Sequence, residues 1–178
     1  MRRKLVWFGL SAGMMVTALF YATPAMATDP VGFTSTTIAK GKFGEIDAFN
    51  KFVMPGTKPD WTRTVWRSRQ RTKGLSDGYV LNNVWDKGGS TGWHTHLGHT
   101  LIIVTAGAVT QYQGDDPTCT GTVYTAGMTF VDDGGSHVHI VRNETSDPAS
   151  VVAIRLIPTG QPGRIDAPDP GNCHFPPN

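Results

Sequence analysis

The sequence predicts an all-β fold, a barrel or sandwich of short strands. Three observations predict it. Glycine and proline are abundant, at 21 and 12 of 178 residues, which favours many turns over long helices. After residue 75, short runs rich in β-branched and aromatic residues alternate with glycine turns. No stretch after residue 60 shows the 3.6-residue spacing of an amphipathic helix.

The first clear strand is Tyr79 to Trp85, ended by Lys87-Gly88-Gly89. Thr100 to Thr105 is a nearly continuous apolar run that turns at Ala106-Gly107. Val109 to Gln113 alternates and runs into the turn cluster Gly114-Asp115-Asp116-Pro117. Short strands follow at Thr122–Tyr124 and Met128–Val131, with Asp132-Asp133-Gly134-Gly135 as the next turn. His137 to Arg142 and Ser150 to Ile157 complete the set. Strands of about five to eight residues, spaced about ten apart, suit a single closed or doubled sheet.

The ends read differently. Residues 1–27 open with Arg2, Arg3 and Lys4, continue as an apolar run from Leu5 to Tyr21, and close on Ala25-Met26-Ala27. That is the pattern of a secretory signal cleaved after Ala27, and the run of about 17 residues is at the low edge for a membrane span. The protein is therefore expected to be secreted or periplasmic, with no membrane attachment after cleavage. Residues 28–74 are weakly periodic and form an N-terminal extension packing on the barrel. Within it Phe43, Ile46, Phe49, Phe52 and Val53 suit one short helix or an irregular wrap. Residues 75–157 form the barrel, and 158–178 a proline-rich tail on its surface.

Removing Arg2, Arg3 and Lys4 lowers the formal net charge from +2 to −1, so the mature chain is not basic. Arg63, Arg67, Arg69, Arg71 and Lys73, interleaved with Trp61 and Trp66, form a local basic stretch. It reads as a solvated edge, and no nucleic-acid partner is expected. The two cysteines, Cys119 and Cys173, suit a disulfide in an oxidising compartment. It would pin the tail and close a loop worth roughly 3–4 kcal/mol. Two free thiols are the alternative; wide separation without C-x-x-C spacing speaks against metal ligation.

The chemistry-bearing feature is a histidine cluster. Of six histidines, His94, His96, His99, His137 and His139 fall within one segment. Residues two apart on a strand share a face, so His94 and His96 project together, as do His137 and His139. Neutral imidazole binds Fe, Zn, Cu and Ni, and two pairs can meet inside a barrel.

Gly88 to His96 resembles the first motif of the cupin superfamily: a glycine, five residues, then His-x-His. The frame continues to Gly107, but Thr100 stands where the family has a glutamate. Gly127 to Asn143 resembles the second motif, with Asp133 in place of a proline and one extra residue between Gly135 and His139. The spacing from His139 to Asn143 is kept. The cysteine near a Gly-Asp-Asp-Pro turn and the Pro-Gly-Asn-Cys tail also resemble small secreted bacterial cupins.

The resemblance implies a double-stranded β-helix (jelly-roll) barrel, a single domain after the signal peptide, with a metal held by His94, His96 and His139. His137 is the alternative to His139. His99 would be a fourth ligand only on a register shift, since an inward Thr100 turns it away. Without the glutamate, the ligands carry no charge, which suits Fe, Zn, Cu or Ni better than Mn. The function expected is binding or conversion of a small molecule, as an oxygenase-type metalloenzyme. A non-catalytic metal or small-ligand sensing module and a purely structural barrel are the alternatives. Cupins often pair through sheets, so a homodimer is a possible assembly.

Overall fold

The computed structural model describes residues 27–55 and 65–175. The expected signal segment, apart from Ala27, lies outside the described residues, as do Trp61 and Arg63. Twelve strands follow in order: β1 (Val31–Phe43), β2 (Asp47–Val53), β3 (Val65–Arg71), β4 (Ser76–Ser90), β5 (His94–Thr95), β6 (Thr100–Ala106), β7 (Ala108–Gln113), β8 (Thr122–Thr125), β9 (Thr129–Asp132), β10 (His139–Arg142), β11 (Ala149–Pro158) and β12 (Ile165–Asp166). There is no helix among the described residues.

Ten strands form one antiparallel sheet that curls into a nearly closed barrel with the jelly-roll layout, the double-stranded β-helix that the resemblance implies. One wall runs β1-β4-β11-β6-β9. The other runs β12-β5-β10-β7-β8. The walls join where Arg142 of β10 pairs with Ser90 of β4.

The segment expected as a short helix or wrap is neither. Residues 31–43 pair along the whole length of β4, so this extension is a strand of the barrel. Phe49, Phe52 and Val53 lie on a separate two-stranded hairpin, β2 with β3. Their period-three spacing arises because Phe49 and Phe52 face opposite sides of that ribbon, and both stay exposed. Arg67, Arg69 and Arg71 share one face of β3, where Arg69 and Arg71 stand 3.6 and 3.8 Å from Asp47.

Register explains the interior. Leu81, Ala153, Ile102 and Phe130 are successive cross-strand partners on β4, β11, β6 and β9. Partners in register point to the same face, and all four are buried. The next row down contains Asn83, Val151 and Val104. One row up, toward the mouth, stand Tyr79, Arg155, Thr100 and Asp132. Alternate residues face out, which leaves Leu101, Ile103, Val131 and Ile154 exposed.

The tail is more than a surface wrap. After β11 it crosses the mouth, where Gly163 and Arg164 line the cavity. β12 then pairs with β5, and Ala167 donates its N–H to Trp93 O at 3.0 Å. Cys173 is bonded to Cys119 and is buried with Trp93, Ile140 and Ala167 in a second small core. Asn172 ties the same turn by donating to Gln113 O and Asp116 O at 2.9 and 2.6 Å. Phe175 of the tail packs against Tyr112 and Arg142.

Burial, and a 2.8 Å hydrogen bond donated to Glu144, raise the Tyr112 phenol from its ordinary 10.0 to about 12. A raised folded-state value means the contribution is complete below pH 10 and is lost as pH rises from 10 to 12. Tyr112→Phe is therefore expected to flatten the alkaline decline in stability within that window. Denaturant titrations at a series of pH values check this, and an identical decline in both proteins would refute it.

Candidate metal centre

The site begins where β4 leaves the first wall. The chain turns through Gly92, whose φ of +68° suits glycine, and a Cβ there would stand 2.3 Å from Thr28 O. The turn delivers His94 to a position directly opposite His139, with ring centroids 4.3 Å apart. His96 follows just past β5 and is buried at 2% exposure. A second glycine turn clasps it: Gly135 N donates to His96 O at 2.6 Å. Gly134, at φ +68°, approaches so closely that a Cβ would lie 2.6 Å from His96 Nδ1.

The third contributor was not expected from the sequence. Asp132, which its Asp-Asp-Gly-Gly setting marks as a turn residue, is the last residue of β9 and is buried. It is the cross-strand partner of Thr100. A carboxylate missing at Thr100 thus returns from the adjacent strand, in the same row and on the same inward face. Asp132 Oδ2 lies 2.8 Å from His96 Nε2 and 2.6 Å from His139 Nε2. The ligand atoms of His96, Asp132 and His139 all lie within 4.8 Å of one another. This placement puts a charged donor beside the imidazoles, where the sequence reading expected none. The sequence signal was present: Phe130 faces inward, and Asp132 is two residues on.

The hydrogen bonds fix what these atoms can do. His94 Nδ1 donates to Gly92 O, His96 Nδ1 to Gly98 O, and His139 Nδ1 to His137 O. A carbonyl oxygen only accepts, so each Nδ1 carries its proton. In a neutral imidazole the Nε2 is then a bare lone pair. His96 and His139 turn that atom toward a carboxylate oxygen, which is also an acceptor. Although close, neither Nε2 has an aligned hydrogen-bond partner. Facing acceptors at such distances repel unless a cation lies among them, and Nε2 ligation with Nδ1 held by a carbonyl is how proteins orient metal-binding histidines. The donor set therefore fits a divalent metal ion.

Burial, then the neighbouring His139 and Arg164, hold His94 well below the usual histidine value, so it is neutral. Burial alone would raise the Asp132 carboxyl, but hydrogen bonding and positive charge on the side of His139 and His96, which a shared proton or a metal ion supplies, outweigh it and keep the group ionised.

The group opens on a cavity of about 330 Å³ between the two walls. Phe33, Trp85, Ile102 and Phe130 give it apolar sides, while Thr100, Arg155 and Arg164 line it together with His96 and Asp132. Of the residues expected as ligands, the structure brings His96 and His139 together with Asp132. His94 adjoins His139, but its ring is 6.3 Å from that of His96. His99 and His137 are exposed and lie outside the group. Thr100 does face inward, which turns His99 away. Asn143 of the second motif is a buried brace: its Nδ2 donates to Asp86 O and Asp147 O at 3.0 and 2.8 Å.

No family profile and no curated protein matches the sequence. Solved structures do match in part. One is a conserved protein with a double-stranded β-helix domain from Klebsiella pneumoniae, 23% identical, covering 51% of this chain and 74% of that one, with a TM-score of 0.42. Another is a predicted oxalate decarboxylase from Thermotoga maritima, 18% identical, covering 48% and 82%, with a TM-score of 0.37. A third is a cupin superfamily protein from Desulfitobacterium hafniense, 11% identical, covering 62% and 78%, with a TM-score of 0.39.

Proposed function

We propose that the protein is a metal-dependent enzyme of the oxygenase type, acting on a small molecule in the barrel cavity. The observation that carries this reading is the convergence of two imidazole lone pairs and one carboxylate on a single buried point. Two histidines and a carboxylate with open positions form the donor set of non-haem iron(II) oxygenases, so Fe(II) is the metal that fits best. His96, Asp132 and His139 hold the ion, and His94 adjoins as a fourth donor. Such an ion supplies Lewis acidity and open coordination positions.

The chain's own residues do the rest. Gly98 O and His137 O keep the proton on Nδ1 and so keep each Nε2 available. Phe130, Ile102 and Trp85 line the cavity and exclude water from one side of the site. The same reading includes export through residues 1–27, which the Cys119–Cys173 disulfide supports, because such bonds persist in oxidising compartments. It also includes pairing of two copies across the outward row of Leu101, Ile103, Val131 and Ile154, an exposed apolar face.

The test is turnover. Protein loaded separately with Fe(II), Zn, Cu, Ni or Mn is offered phenols and organic acids while oxygen uptake is recorded. Uptake with the iron form is expected. Stoichiometric metal without turnover of any candidate would replace this reading with a non-catalytic binding module.

A further inference from the structure

Two arginines line the cavity with hydrogen-bond donors that nothing in their surroundings takes up. Arg155 lies in the row Tyr79–Arg155–Thr100–Asp132, one strand from Thr100 and two from Asp132. Strands are about 4.8 Å apart, so its backbone is about 10 Å from that of Asp132. Its Nη1 donates to Gly163 O in the tail, but its buried Nε has no partner. Arg164 lines the same cavity from the tail. Its Nε contacts Asp166, while its Nη2 is buried without a partner. The buried Thr100 hydroxyl, between Arg155 and Asp132 in the row, is also unpartnered.

Three polar groups thus face one space, each with hydrogen-bonding capacity unused. Buried polar groups left unpaired are costly, and buried guanidinium charge is normally matched by an anion. Asp132 faces two imidazoles and Asp166 takes only the Arg164 Nε, so the remaining guanidinium donors stay unmet, and a divalent ion on Asp132 would add positive charge to the same space. Below this polar rim Leu81, Ile102, Phe130 and Trp85 make the wall mostly apolar, with Asn83 among them. A ligand that satisfies both halves has an anionic head and an apolar body.

We propose that the cavity binds a small apolar monocarboxylic acid, its carboxylate held at the mouth by Arg155, Arg164 and the Thr100 hydroxyl and its body lying between Ile102, Phe130 and Trp85. Guanidinium groups offer paired donors that match a planar carboxylate. Inorganic phosphate would satisfy the head alone and leave the apolar walls uncovered. The proposal deepens the metal-enzyme reading by naming its ligand class and setting the carboxylate end beside the metal group. The binding itself needs no metal.

The experiment is calorimetric titration of the full chain with benzoate, benzyl alcohol and inorganic phosphate. Each titration uses protein stripped of metal and freed of chelator, and again protein loaded with metal. Benzoate is expected to bind the metal-free protein at least tenfold more tightly than benzyl alcohol or phosphate. Arg164→Gln and Arg155→Gln should each weaken benzoate at least tenfold and leave benzyl alcohol unchanged. Arg155 also ties the tail, so Arg155→Gln is read only if it melts cooperatively; Arg164→Gln, on the tail itself, carries the test if it does not.

Equal binding of benzoate and benzyl alcohol, phosphate binding as tightly as benzoate, or benzoate affinity unaffected in Arg164→Gln would overturn the proposal. The two readings fail separately. Metal uptake without discrimination of benzoate defeats only the carboxylate assignment, and discrimination without metal uptake defeats only the metal assignment.

Discussion

Asp132→Asn is expected to remove metal binding while leaving the metal-free barrel at least as stable as the parent at pH 8. The substitution deletes the only charged donor of the group His96, Asp132 and His139, and an amide is a poor ligand for a transition ion. Affinity should fall by at least a hundredfold, about 2.7 kcal/mol. The retained stability is the more discriminating half. If both imidazoles are neutral with Nδ1 protonated, each presents an accepting Nε2 to residue 132. An asparagine amide has two N–H donors and can serve both. If the histidines were instead doubly protonated and paired to Asp132, the substitution would strand two buried cations and cost about 3–5 kcal/mol. Denaturant unfolding of chelator-treated protein separates the cases, and a loss of that size would show that the close contacts are salt bridges rather than an empty ligand set.

Breaking the Cys119–Cys173 disulfide is expected to lower stability by roughly 3–4 kcal/mol, because the bond closes a loop of 54 residues. For a domain of this size that is a fall in melting temperature of about 6–16 °C. The consequence reaches the site. The bond anchors the tail that carries Gly163 and Arg164 over the cavity and pairs β12 with the strand bearing His94. Cys119→Ser with Cys173→Ser should therefore melt earlier and also expose the cavity mouth to limited proteolysis after β11. Thermal melts with and without reductant, with thiol content measured in parallel, check this. An unchanged melting temperature in fully reduced protein would show that the tail is held by its other contacts, chiefly Ala167 and Asn172.

Much of the barrel was legible in the sequence because its strands obey local rules. Thr100 to Thr105 and Ser150 to Ile157 alternate buried and exposed along β6 and β11, and glycine turns separate them. The extension was not legible. β1 is nearly all exposed, so it shows no apolar alternation. It is a strand because it pairs with β4, and that partner lies some forty residues away. The histidines followed the same division. His94, His96 and His139 carry a spacing that local geometry can interpret. Asp132 does not, because its role depends on which strand lies beside β6. Asp-Asp-Gly-Gly is a strong turn signal, and only the second half of it turns. Arg155 was hidden differently: it sits in a strand of apolar residues, and its meaning comes from the tail folded back against it.

The account rests on a metal at His96, Asp132 and His139. The most direct measurement is metal content by elemental analysis after equilibration with Fe(II) under anaerobic conditions and removal of free ion. It is done for the parent, for His96→Ala and for His139→Ala. The account predicts one ion per chain in the parent and none retained in either variant, with all three proteins folded. A parent that retains no ion, or variants that retain as much as the parent, would contradict it.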